Sequence, residues 1–224
     1  MNLRGLFAAG ILLAGPSYGL LASSTVIQLG ETGVSYPVTD FGAILLQDRV
    51  SGADASIAYF VEVTLKITAG AGGTMFASDY FVDLRHNTGS SLDDSSGAYR
   101  SVNLFQDLGV VADPFGFGSV ANGMEIRLKD SYPIRLRDVS DYTSTAGLTG
   151  NWQAYEALDP LGLMDPNGVW GLFVSDTSIG GAGVLAEWTV TLSPVPEPVL
   201  SPSLWAAVVF GVLGVRRRYG KSKL

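Results

Sequence analysis

The stretch Tyr59 to Thr68 constrains the fold most. Val61, Val63, Leu65 and Ile67 alternate with Glu62, Thr64, Lys66 and Thr68, and Phe60 is the one apolar exception. A period of two puts one face of a strand in a core and the other in water. Gly70–Ala71–Gly72–Gly73 then breaks the run. Shorter runs of the same kind follow at Tyr80–Arg85, Val102–Leu104, Met124–Lys129, Ile134–Arg137, Trp170–Val174 and Trp188–Leu192. His86 to Gly97 is a polar, turn-rich loop. No long amphipathic helix competes with these runs, and the chain holds 28 glycines. Close-spaced short strands of this kind predict an all-β fold, a jelly-roll-like β-sandwich. Only Trp152 to Leu158 suggests a helical turn, stopped by Pro160.

The two ends differ from this middle. Met1 to Ser24 reads as a signal peptide for the Sec translocon: Arg4 is its one early charge, Leu6–Leu13 its apolar centre, and small residues follow Pro16. The last thirty residues form three blocks. Val195–Pro196–Glu197–Pro198 suits neither a helix nor a central strand, because each proline lacks a donor and has a fixed φ, so it reads as an extended, accessible tether. Leu204 to Val215 carries no charge, and counted from Val199 the run is long enough for a short transmembrane helix. Arg216, Arg217 and Arg218, with Lys221 and Lys223, would hold the terminus on the cytoplasmic side.

The expected domains are therefore 1–24, 25–194 and 195–224. The middle part is large enough to bury its own core. With no cysteine in the chain it has neither disulfides nor thiolate chemistry. Between Thr25 and Pro194 eight Lys and Arg face twenty Asp and Glu, so 8 − 20 = −12. That charge argues against nucleic acid, whose phosphates need a cationic face.

In order, the three C-terminal blocks resemble the PEP-CTERM sorting signal of Gram-negative bacteria. The resemblance implies processing by an exosortase, a membrane-embedded transpeptidase-like enzyme, and display at the surface, often beside exopolysaccharide. A second resemblance lies in the core. Asn167 to Asp176, followed by Gly180 to Leu192, is similar to the end of the proprotein convertase P domain, with Trp170, Asp176, Gly183 and Trp188 at its marked positions. Val61–Ile67 with Ser78–Asp79–Tyr80 and Val82–Leu84 looks like that family's strands around a Gly-Asp-Leu turn. On this pattern the two tryptophans sit on adjacent strands, and Asp176 caps the glycine turn between them. Many members carry an acid in that turn, where this chain has Gly181–Ala182–Gly183. Asp79 and Asp176 are then the weak candidates for any calcium. No catalytic domain accompanies the core, so the resemblance implies a stabilising or binding module.

Other chemistry is sparse. His86 is the one histidine, so a Ser-His-Asp triad would have to use it, with Asp83 or Asp93 orienting it. No Gly-x-Ser-x-Gly elbow is present. Asp93 with Asp94, or Asp138 with Asp141, offer oxygens to calcium without EF-hand spacing. Tyr132, Tyr142, Trp152 and Tyr155 either stack on sugar rings or pack under the neighbouring loop. The expectation is a non-enzymatic surface or matrix protein with no required cofactor. Its expected partners are an exosortase, the membrane, and exopolysaccharide or other envelope proteins. A carbohydrate-binding module is the alternative, and an accessory domain of a secreted hydrolase comes third.

Overall fold

The computed structural model describes residues 25–70, 75–106, 108, 123–138 and 147–196. The signal-peptide segment, the apolar run, Glu197, Pro198 and Arg216–Arg218 all lie outside the described residues.

The fold is an all-β sandwich of two sheets. In chain order the strands are β1 (Ile27–Val38), β2 (Ala43–Val50), β3 (Tyr59–Ala69), β4 (Tyr80–Asn87), β5 (Tyr99–Gln106), β6 (Met124–Leu128), β7 (Leu148–Trp152), β8 (Gly168–Asp176) and β9 (Gly183–Pro194). One sheet has the order β1-β9-β3-β6-β7 and the other β2-β8-β4-β5. All neighbours are antiparallel except β6 and β7, which run parallel. Among the described residues no helix is long and apolar enough to cross a membrane.

The core follows from the alternation. Val63, Leu65 and Ile67 of β3 are fully buried, and so are Val82 and Leu84 of β4 in the facing sheet. On β9 the inward residues are Leu185, Trp188 and Val190. Leu185 and Trp188 are three apart, a spacing that a regular strand would send to opposite faces. A bulge opposite Lys66 and Ile67 takes up the extra residue and turns both inward.

Five expectations need correction. The two tryptophans do not sit on adjacent strands. Trp170 on β8 belongs to the four-stranded sheet and Trp188 on β9 to the five-stranded one. The glycine turn is not a hairpin but arches over the end of the sandwich. It is tied to both sheets, because Asp176 N–H donates to the Gly42 carbonyl and Gly70 N–H to the Ala182 carbonyl. The strands on either side of Asp79, β3 and β4, likewise lie in opposite sheets.

Ile134 to Arg137 forms no strand. Arg135 makes an isolated bridge to Gln153, and Leu136–Asp138 is a 3-10 turn. Trp152 ends β7 instead of starting a helical turn, and a short helix, α1, spans Asp159–Gly162. Pro160 opens this helix, a place where its missing N–H costs nothing.

Candidate functional site

Two regions gather the chain's chemistry, one at each end of the sandwich. The first is an acidic corner. The turn between β1 and β2 carries Asp40, the 3-10 turn Ala77–Asp79 carries Asp79, and the end of β8 carries Asp176. Asp176 Oδ1 accepts from Ser178 N–H at 3.0 Å, which is the predicted cap of the glycine turn. Asp40 Oδ2 accepts from Gly180 N–H at 3.0 Å, and Ser78 Oγ donates to Asp79 Oδ1 at 3.2 Å. The Asp79 carbonyl accepts both the N–H and the hydroxyl of Thr177.

Asp79 and Asp176 are both buried, Asp176 with 2% of its surface exposed. Burial pushes both carboxyls above their ordinary pKa, and repulsion from Asp40 adds to the rise. Asp176 Oδ2 and the hydroxyl of Tyr80 are buried and face each other across the β4–β8 register, and the hydroxyl partly offsets the rise of the carboxyl's pKa. Burial also raises the pKa of that hydroxyl, with Asp176 adding to it. Gly183 lies against the Tyr80 hydroxyl, where a side chain would collide with it.

Asp40 was not legible as a member of this corner. Its only signal was a turn-like Thr-Asp-Phe-Gly, in which Phe41 adopts a left-handed φ of 54°. Calcium takes six to eight oxygens. Among the described residues no three carboxylate or imidazole groups stand close enough to share an ion. The corner is therefore a set of acids two of which are buried and raised in pKa. The other acids suggested for calcium are engaged elsewhere: Asp94 accepts from the N–H and hydroxyl of both Ser90 and Ser96, and Asp138 pairs with Arg137. Asp141 and Tyr142 lie outside the described residues.

His86 is a core residue. Its ring stacks on Trp170 with centroids 4.1 Å apart. Nδ1 lies 3.1 Å from the Val169 carbonyl and Nε2 2.8 Å from the Asp165 carbonyl. Neither nitrogen is open to a nucleophile, and burial holds the ring's pKa below its ordinary value. Asp83 does not orient it. Neighbouring side chains on a strand point to opposite faces, and Asp83 pairs instead with Arg85 at 3.4 Å. The indole of Trp170 donates to the Pro166 carbonyl at 2.9 Å. Trp188 is as deeply buried, but its Nε1 has no partner. Of the loop aromatics, Tyr155 is 37% exposed with the Arg137 guanidinium over its ring, and Trp152 is half-buried. Tyr132 is also half-buried, and burial raises its hydroxyl pKa.

The second region is the opposite end, where both described termini emerge. Ile27 lies opposite Leu192, and Tyr59 opposite Pro194. A cleft of about 440 Å³ opens there between the sheets. Thr25, Gln28, Arg49, Ser51 and Asp54 form its polar wall, and Ile27, Ile57 and Tyr59 its apolar part. The Asp54 carboxylate is occupied by the N–H and hydroxyl of Ser56. Val195 is not free: its N–H donates to the Ala58 carbonyl at 2.9 Å. The first residue of the proposed tether is therefore still tied to the end of the sheet.

No family model matches the chain, and no curated protein does either. Among solved structures the chain is similar to the crystal structure of an Aeromonas sobria serine protease in complex with a chaperone. The identity is 13% and the TM-score 0.37, over 77% of this chain and 27% of the other, so this chain spans about a quarter of that protein's length.

Proposed function

We propose that the chain is an exported bacterial surface protein whose sandwich acts as a non-enzymatic interaction module. In this reading residues 1–24 start export through the Sec translocon, the sandwich is jelly-roll-like, and 195–224 hold the chain in the membrane until an exosortase processes it. The observation that carries the reading is the order of the C-terminal blocks directly after the last strand. Val195–Pro198 comes first, then the uncharged run from Leu204, then Arg216–Arg218. A core helix rarely ends in five cations with no acid among them. The strand orders support the jelly-roll part. Apart from β7, each sheet has four strands, and the chain crosses repeatedly between the sheets as two Greek keys do.

Mass spectrometry of the C-terminus from native cells tests the reading, with and without Arg216–Arg218. The expected mature protein ends near the Val195–Pro198 motif. A surface form intact through Leu224 overturns the reading.

The cleft at the terminal end favours a second reading, a carbohydrate-binding module. Its size falls within the range of small-molecule sites, and its wall mixes hydroxyl, amide and guanidinium groups with an apolar part. A glycan array on residues 25–194 separates this reading from an inert sandwich: the lectin reading expects selective binding that is lost in Arg49→Ala.

A further inference from the structure

Motif and domain meet without a spacer. β9 lies between β1 and β3, and its Val190 and Leu192 are buried in the core. The last rungs hold to the end, with Ser193 opposite Phe60, Pro194 opposite Tyr59, and Val195 bonded to Ala58. Past Val195 only Pro196, Glu197 and Pro198 remain of the motif. An extended chain covers at most about 3.3–3.6 Å per residue, so the four motif residues span roughly 13–14 Å. A peptide held in a processing cleft lies extended, with residues on both sides of the bond in contact. An enzyme gripping this motif therefore has the sandwich end against it.

That end is suited to contact. Thr25, Gln28 and Ser51 bring hydroxyl and amide side chains to its cleft. The Arg49 backbone N–H donates to Asp48 Oδ1, while among the described residues its guanidinium donates to the Ser90 carbonyl at 3.2 Å and pairs with no carboxylate, in a domain rich in acids. The free N–H groups of an unpaired guanidinium at a rim are complementary to a carboxylate on a partner.

Resting on the sorting reading above, we infer that the sandwich end formed by Thr25–Gln28, Arg49–Ile57 and Val195–Pro196 is a docking face for the processing enzyme. The enzyme recognises the folded domain together with the motif, through an acidic group that meets Arg49.

The test uses the full chain in its native host, with the processed fraction followed by pulse-chase and C-terminal mass. Arg49→Glu is expected to slow processing at least fivefold at an unchanged total amount of chain. Ser51→Arg, which crowds the same rim, is expected to slow it as well and guards against a folding effect of the first variant. A twelve-residue Gly-Ser insertion between Pro194 and Val195 moves the motif off the face. It is expected to slow processing to the Arg49→Glu level, and Arg49→Glu is expected to add nothing on top of it. If the insertion leaves processing unchanged or speeds it, the docking face is refuted while the sorting reading stands. If the wild-type chain is never processed, the sorting reading fails and the docking face goes with it.

Discussion

Replacing Asp176 by Asn should stabilise the protein at neutral pH. Asp176 is buried, with one oxygen accepting from Ser178 and the other facing the Tyr80 hydroxyl. The charge is further opposed by Asp79 and Asp40. A buried acceptor left unpaired costs about 1–3 kcal/mol, and more when charged. Asn keeps the oxygen that Ser178 uses, removes the charge, and offers the Tyr80 hydroxyl an amide donor in place of the carboxylate oxygen. We expect a gain of about 1–2 kcal/mol at pH 7. For a domain of this size that raises Tm by roughly 2–8 °C. The pH dependence gives a second check. The folded-state pKa of Asp176 lies above the ordinary 3.8. Its protonated form therefore favours folding: this contribution is full below pH 3.8 and is lost as pH rises through the folded value. The advantage of Asn should be largest at neutral pH and vanish near pH 3.5. Calorimetric melts of both proteins from pH 3.5 to 7.5 measure it. A variant that melts lower than wild type at pH 7 refutes the idea that the corner is charge-strained.

Three further outcomes are expected. His86→Ala removes a buried ring stacked on Trp170 and should cost about 3 kcal/mol by urea unfolding. Because the folded pKa of His86 is depressed below 6.5, its contribution is full above pH 6.5 and is lost as pH falls, so the variant should flatten that limb of the stability curve. Gly168→Ala should destabilise by more than about 1 kcal/mol in the same assay, because Gly168 has φ +127° and a Cβ there would strike the Asn87 carbonyl. Tyr80→Phe removes the hydroxyl that faces Asp176 Oδ2 and leaves that oxygen buried without a donor, so it should cost about 1 kcal/mol at pH 7 in the same assay, and an unchanged urea midpoint would show that the hydroxyl does not serve the carboxylate.

Some of this architecture was legible from residues and some was not. β3, β4, β5, β6, β8 and β9 announce themselves by apolar residues at every second position, most cleanly in β3 and β6, where one face lies in the core and the other does not. β1 does not, because Gly30, Gly33 and Pro37 interrupt it. Each has a local reason that alternation cannot carry. A Cβ on Gly30 would strike the Trp188 carbonyl, and Pro37 lies on an edge strand, where a missing donor is tolerated. β2 went unread because its Ile-Leu-Leu run does not alternate. The turn after Asp176 was read correctly as needing positive φ, found at Gly180 and Gly181, yet its length alone could not tell a hairpin from an arch between sheets. At the candidate site the pairing of Asp79 with Asp176 came from resemblance, whereas Asp40 joins them only through the fold. The bond from Val195 to Ala58 was also invisible, since nothing in Val-Pro-Glu-Pro says where a sheet stops.

The position of β9 also governs how the molecule is completed. The last strand to be synthesised is the one that slots between β1 and β3. Until it arrives, two earlier strands present open backbone edges and the core lacks Leu185, Trp188 and Val190. Unpaired edges of this kind invite pairing with other chains. Any chain cut short of Gly183 should therefore fail as a whole and aggregate, not persist as a smaller sandwich.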